Sequence, residues 1–327
     1  MARIVDVAEL AGVSTATVSR VLNGKTVRPD LDAAVRRAVD ELGYSPDRTA
    51  RSLRRRHSDV IALVLPDIEN PFFTSLARGV EDVAQEAGLS VVLCNTDDDP
   101  VKEQRYLQIV AAENMAGVIL APAGGTAALA ALLERGRAVV VVDRPVPEPV
   151  DQVVFDNVEL GRIAAGALID RGYRRIACIT GPRTTPTAVD RATGWAQALA
   201  AAALDAPDDL LVHADFRVEG GRSAMEGLLG TEHPPDAVLA TNNLVGVGAL
   251  RALAHGDHAV GVGIIGDLPF ATSNVENVSF LPLRPREMGL AAARMLVERV
   301  RDGAGPVRTL VQGSADLVAP SSGVLRE

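Results

Sequence analysis

Cysteine is nearly absent. Cys94 and Cys178 are the only two in 327 residues, too few and too isolated for a disulfide framework or a thiolate metal site. Each lies in or beside an apolar, strand-like run, where a buried free thiol is expected. No apolar run reaches membrane length, and no signal peptide or lipidation motif opens the chain. A cytoplasmic protein without membrane contact is therefore expected. Walker loops, nucleophile elbows and zinc-type helix motifs are missing too. The five histidines fall mostly in apparent loops; His255 and His258 could pair on a metal, but without a third ligand they read as a solvated turn. One run, Gly261-Val262-Gly263-Ile264-Ile265-Gly266, matches the dinucleotide fingerprint letter for letter, yet Asp267-Leu268-Pro269 follows where a helix should begin. It reads as a strand, and neither a cofactor, a metal nor an enzymatic activity is expected.

What is present is unevenly distributed. The net charge of -9 conceals a segment of +4 through His57 and a remainder of -13. Such an asymmetry makes the N-terminal segment the nucleic-acid end, with an acidic bulk that repels DNA elsewhere.

Within the basic segment, Ile4, Ala8 and Ala11 recur at helical spacing until Gly12-Val13 breaks the pattern. Ser14 can cap a second helix, whose apolar face is Val18, Val21 and Leu22 and whose opposite stripe is Ala16, Arg20 and Asn23. Small residues and one Arg on an outer face suit the major groove, the guanidinium fork matching guanine O6 and N7. Pro29 and Asp30 open a third helix, buried through Leu31, Val35, Ala38, Val39 and Leu42 and ended by Gly43. Three such helices make a small bundle. Ser45-Pro46-Asp47 then starts a short segment with arginines at 48, 51, 54, 55 and 56, too short to be stable alone.

These residues resemble the LacI/GalR family of bacterial transcriptional regulators. The matching motifs are Val5-Asp6-Val7-Ala8, Ala11-Gly12-Val13-Ser14, Ala16 to Gly24, Glu41-Leu42-Gly43-Tyr44, Ala50-Arg51-Ser52-Leu53, and Pro66 to Phe73. The resemblance extends over almost the whole chain. It implies an all-α helix-turn-helix head plus an α/β two-lobed core of periplasmic-binding-protein-like parallel sheets. The function implied is that of a repressor, a homodimer on a palindromic double-stranded operator, controlled by a small effector of carbohydrate type. Residues 1–44 would be the DNA-binding domain, 45–57 the hinge helix and linker, and 58–327 the effector core. Its N-lobe would span about 58–156 and 284–312, and its C-lobe about 157–283 and 313–327. DNA contacts are expected from Thr15, Ala16, Thr17, Ser19, Arg20, Asn23, Tyr44, Ala50, Arg51 and Leu53, with Leu53 wedged into the central base step. Without heptads after Val318, a dimer is expected instead of a tetramer.

Beyond residue 58 the pattern alternates. Strand Val60 to Leu65, helix Pro71 to Ala87, strand Ser90 to Leu93, helix Val101 to Glu113, strand Val118 to Ala121, helix Ala127 to Arg135 and strand Ala138 to Val142 form one series. A second starts near Val153 and Val154 and runs to the strand Gly261 to Ile265. Helix Arg286 to Val300 and strands Arg308 to Gln312 and Ala315 to Val318 return to complete the sheets. Tandem alternating series predict two lobes, each a parallel sheet covered on both faces.

Ligands of such sheets bind beyond the carboxyl ends of the strands. The residues there are 67–73, 95–98, 143, 183–191, 242–243 and 267. Their acids and amides suit hydroxyls, and Phe72, Phe73, Trp195 and Phe216 could cover apolar faces, which points to a sugar-like or nucleoside-like ligand. The bland alternative for each Asp or Asn is a helix cap or turn. The family resemblance implies effector contacts from Phe73, Asp143, Arg191 with Gly194-Trp195, Phe216, Asn242 and Asp267, and Phe72 joins them as an aromatic neighbour. The chain departs from the family around Gly266-Asp267-Leu268-Pro269, which looks about two residues short. Asn243 stands where an acid is common, and Pro320 where an arginine often follows. A solute-binding protein without DNA function is the alternative for the core alone, but it would need a signal peptide and no basic head.

Overall fold

The computed structural model describes residues 2–22, 25–44, 58–124, 127–254, 259–268, 277–303 and 305–313. The chain divides into two compact units, Met1–Asp59 and Val60–Glu327.

The first unit holds α1 (Ile4–Ala11), α2 (Thr15–Leu22) and α3 (Pro29–Leu42). Gly12 and Gly43 end α1 and α3 in the left-handed region, with φ of 65° and 55°, a conformation in which a Cβ would be strained. Ser14 Oγ accepts from Thr17 N at 3.2 Å and so caps α2. The core is small: Val7, Ala8, Val18, Val21, Val35 and Ala38 are buried, with Ile4, Ala11, Val39, Leu42 and Tyr44 packed around them. The hinge expected over 45–57 lies outside the described residues.

The second unit contains two sheets. The first, in the order β11-β5-β4-β3-β1-β2, comprises β1 (Val60–Leu65), β2 (Ser90–Asn95), β3 (Gly117–Leu120), β4 (Ala138–Asp143), β5 (Asp151–Phe155) and β11 (Thr309–Gln312). The second runs β10-β9-β8-β6-β7, from β6 (Ile176–Thr180), β7 (Leu211–His213), β8 (Ala237–Ala240), β9 (Gly261–Ile265) and β10 (Val278–Leu281). All pairings among the described strands are parallel. Side chains alternate across the first sheet as the two-residue period of a strand requires. Ala62 and Val64 pack under α5 (Pro100–Ala112) and α6 (Ala127–Glu134), while Ile61, Leu63 and Leu65 face α4 (Pro71–Glu86) and α11 (Pro285–Asp302). The second sheet carries α7 (Asn157–Asp170), α8 (Pro186–Ala201), α9 (Val218–Leu229) and α10 (Asn243–Leu253). We call the first sheet with its helices the N-lobe and the second the C-lobe.

Three helix pairs cross on reciprocal glycines. A Cβ on Gly79 would overlap the Arg286 carbonyl oxygen and one on Gly289 that of Leu76; Gly161 and Gly194 stand likewise against Arg191 and Val158, and Gly221 and Gly248 against Val245 and Val218. Backbones therefore touch in the pairs α4–α11, α7–α8 and α9–α10, a distance that any larger residue would hold apart.

Several sequence expectations are revised. Val153 and Val154 do not begin the second series: β5 pairs with β4 and β11 in the first sheet. The short strands β7 and β10 were not anticipated. Gly261 to Ile265 is a buried strand, β9, as its residues suggest, and both cysteines are free and buried. His255, His258, Pro320 and the strand expected at Ala315 to Val318 lie outside the described residues.

Candidate functional site

On the head, Thr15, Ala16 and Arg20 are exposed on one side of α2, opposite Val18 and Val21, while Thr17 and Ser19 are half-buried. The Thr17 hydroxyl lies 3.0 Å from Ser14 Oγ, so it is tied to the cap. Tyr44 follows α3 and packs partly against the head core. Asn23, Ala50, Arg51 and Leu53 lie outside the described residues.

In the core, the loops following the strands of both lobes enclose a cavity of about 690 Å³. Phe72, Phe73, Asp143, Arg191, Phe216, Asn242 and Asp267 all line it. Trp195 does not: it is 2% exposed and its indole Nε1 donates to Ile176 O at 3.2 Å, so it belongs to the core. Gly194 serves the α7–α8 crossing.

The N-lobe wall carries most of the acidic groups. Asp143 ends β4 with φ of 65°, an unfavourable conformation for a residue with a Cβ and a recurrent one at functional sites. Burial pushes its carboxyl up; Arg191 and Arg144 oppose that shift and Asp98 adds to it. Its nearest cation, Arg144 Nε, is 3.9 Å from Oδ2, and Arg144 is committed to Asp98 and to Pro122 O. Asp97 and Asp98 also have positive φ, 55° and 58°. Asp97 is held below the usual carboxylate range chiefly by its hydrogen bond from Lys102, with Arg217 of the C-lobe adding a smaller attraction. Phe72 meets Phe73 edge-on at 5.0 Å between centroids.

The C-lobe wall is built from helix starts. Arg191 lies early in α8, where Nε donates to Asn157 Oδ1 at 2.8 Å and Nη1 to Thr241 O at 2.6 Å. Burial lowers its pKa, and the Asp143 charge opposes that. Among the described residues the two make no direct ion pair, so they face each other across the cavity as donor and acceptor. Asn242 realises the bland reading: Oδ1 caps α10 by accepting from Val245 N, and Nδ2 donates to Phe216 O. Its work is to fix Phe216, whose ring lies on Gly181 where a Cβ would overlap it. Asp267 stands exposed at the rim with its carboxyl raised by partial burial. Sequence reasoning missed Arg144, Arg217 and Leu283 in the lining. Arg144 directly follows Asp143 at a strand end, a signal that was available.

A small three-helix head followed by an arginine-rich segment, and a two-lobed parallel α/β core with a ligand-sized cleft, define a DNA-binding regulator of the ligand-responsive class. Residues 3–47 match the family model described as bacterial regulatory proteins, lacI family, and residues 58–312 that of periplasmic binding proteins and sugar binding domain of LacI family. The chain belongs to the LacI family of bacterial transcriptional regulators and is not an enzyme. It is 35% identical to the ribose operon repressor of Halalkalibacterium halodurans, covering 92% of this chain and 91% of that protein. To the HTH-type transcriptional regulator CelR of Thermobifida fusca it is 36% identical, with 94% of both covered. Among solved structures, a CelR–cellobiose complex superposes with a TM-score of 0.72 at 31% identity, over 99% of this chain and 100% of that one. A Lac repressor dimer bound to operator and the anti-inducer ONPF gives a TM-score of 0.84 at 22% identity, over 97% and 98%, a likeness of fold. Among the described residues no helix is long and apolar enough to cross a membrane.

Proposed function

We propose that this regulator is a cytoplasmic homodimeric repressor that reads a palindromic operator through residues 1–44, couples through 45–57, and takes a neutral sugar in the cleft of 58–327. The observation that carries the effector reading is the opposition of buried Asp143 and buried Arg191 across one cavity. A hydroxyl between them accepts from the guanidinium and donates to the carboxylate, relieving two costly buried charges at once. Phe72 and Phe216 supply apolar faces for the ring of a sugar. Names of relatives point the same way, to ribose and cellobiose. Effector bound in the cleft favours one angle between the lobes, and only its differential affinity for the two arrangements drives the change in operator affinity.

The test is an operator-binding titration on DNA taken from beside the protein's own coding region, run against neutral mono- and disaccharides including ribose and cellobiose. Arg191→Ala should keep operator binding and lose the response to the active sugar; unchanged sugar affinity by calorimetry would sink the assignment. Because Arg191 also bonds Asn157 and Thr241, its melting temperature should fall as well. Arg20→Ala should weaken specific binding by about 1–3 kcal/mol at one symmetric base position. An equal loss on random DNA would make Arg20 a phosphate contact.

A further inference from the structure

Two side-chain amides meet across the cleft. Asn70 precedes α4 of the N-lobe and Asn243 is the first residue of α10 of the C-lobe. They are 7% and 6% exposed. Asn243 Nδ2 donates to Asn70 Oδ1 at 3.1 Å. Neither amide is free to turn over. Asn70 Oδ1 also accepts from Phe72 N at 3.0 Å, capping its helix, and Asn243 Oδ1 accepts from Leu244 N at 3.0 Å. Backbone N–H groups thus fix the oxygen end of each amide, and donor meets acceptor without an alternative pairing.

Among the described residues, the charge attractions across the cavity are of longer range. Asp143 and Arg191 sense each other's charge without an ion pair, as do Asp97 and Arg217. Such forces draw the lobes together but set no particular angle, whereas a buried hydrogen bond is directional and short. We propose that the Asn70–Asn243 hydrogen bond is the latch that fixes the resting angle between the two lobes. Asn70 and Asn243 then act as positioning residues: each is carried on a helix start, and neither needs to touch the ligand to set how readily the cleft closes on it. The regulatory consequence rests on the cavity being the effector site; the latch itself does not.

The experiment uses the full chain with single cysteines introduced at the exposed positions Glu134 and Gln197, one on each lobe, and spin-labelled. Cys94 and Cys178 are buried, and the chain without the introduced cysteines, treated with the same label, gives the background. Dilution with excess unlabelled chain restricts the measured distances to one subunit. Asn243→Leu, which removes the donor at nearly constant volume, should broaden the interlobe distance distribution and move it to longer separations. Should that variant fail to fold, Asn243→Ala takes its place. Asn70→Asp keeps the acceptor for both Phe72 N and Asn243 Nδ2, so its distribution should match the wild type. Unchanged distances in the Asn243 variants, even with a lower melting temperature, would reduce the pair to a local structural contact and overturn the proposal. Equal broadening in Asn70→Asp would overturn it as well. Failure of the effector reading shows elsewhere: operator binding then ignores every sugar tested while the distance shift persists.

Discussion

The two ends of the N-lobe sheet are built to opposite specifications, and two aspartates on consecutive strands show it. Asp143, at the carboxyl end of β4, is buried, left-handed and short of partners, its carboxyl raised. Asp151, at the amino end of β5, is 2% exposed and saturated: Arg299 donates through Nε and Nη2 at 2.9 and 2.8 Å, and Arg308 through its backbone N at 2.8 Å and Nη2 at 3.1 Å. Burial raises the Asp151 carboxyl, but these bonds outweigh it and hold it below the usual range. They also tie the end of α11 and the start of β11 to β5. One end is a foundation; the other leaves a charge waiting for something to arrive. Under-satisfaction at a buried carboxylate is what separates a binding wall from a structural one.

The largest effect should come from the foundation. Asp151→Asn leaves two arginines facing a neutral amide and should cost about 3–5 kcal/mol in urea denaturation, with sugar affinity unchanged in the folded fraction. An intermediate effect is expected of Gly161→Ala, whose Cβ would meet the Arg191 backbone. Overpacking should cost about 1–3 kcal/mol and should also weaken sugar binding, because α8 carries Arg191 away from Asn157. Loss of stability with full sugar affinity would show that the crossing does not position Arg191. The smallest effect on stability should be that of Asp143→Asn. Asparagine tolerates the left-handed backbone and removes a carboxyl that burial disfavours, so stability should hold or rise slightly while sugar affinity falls.

The pH dependences should have opposite signs. The Asp151 carboxyl titrates lower when folded, so its contribution is complete above the unfolded carboxyl range and is lost as pH falls through the folded value. Asp143 titrates higher when folded, so its ionisation costs stability as pH climbs from the unfolded value through the folded one. Urea denaturation across a pH series should therefore lose acid sensitivity in Asp151→Asn and lose the decline above the usual carboxylate range in Asp143→Asn. Parallel curves for the two variants would erase the distinction between the ends.

Much of this was legible in the residues. Gly12, Gly43 and Ser14 announced the helix ends of the head, and strand-helix alternation with the carboxyl-end rule led to thirteen of the residues that line the cavity, Phe216 being reached instead as an aromatic and through the family resemblance. Trp195 misled because it shares a helix face with Arg191. Four residues further along, it lies about 6 Å deeper along the axis, so it passes beneath the cleft into the core. β7 is three residues long, too short for a period to declare itself, and Ser279 of β10 interrupts the continuous apolar run that marks the equally short β3. The Asn70–Asn243 contact joins residues 173 apart, and no local pattern encodes such a meeting.

The reciprocal glycine crossings have a mechanical consequence. At each crossing, where backbone is set against backbone, no side chain is available to slide on or repack, so α4–α11, α7–α8 and α9–α10 are each pinned at that point and move as a pair. A pinned pair passes a push on. Among the described residues, a displacement that begins at Arg191 or Asn243 is passed to the interlobe segments after Phe155 and Leu281, which take up the bending there.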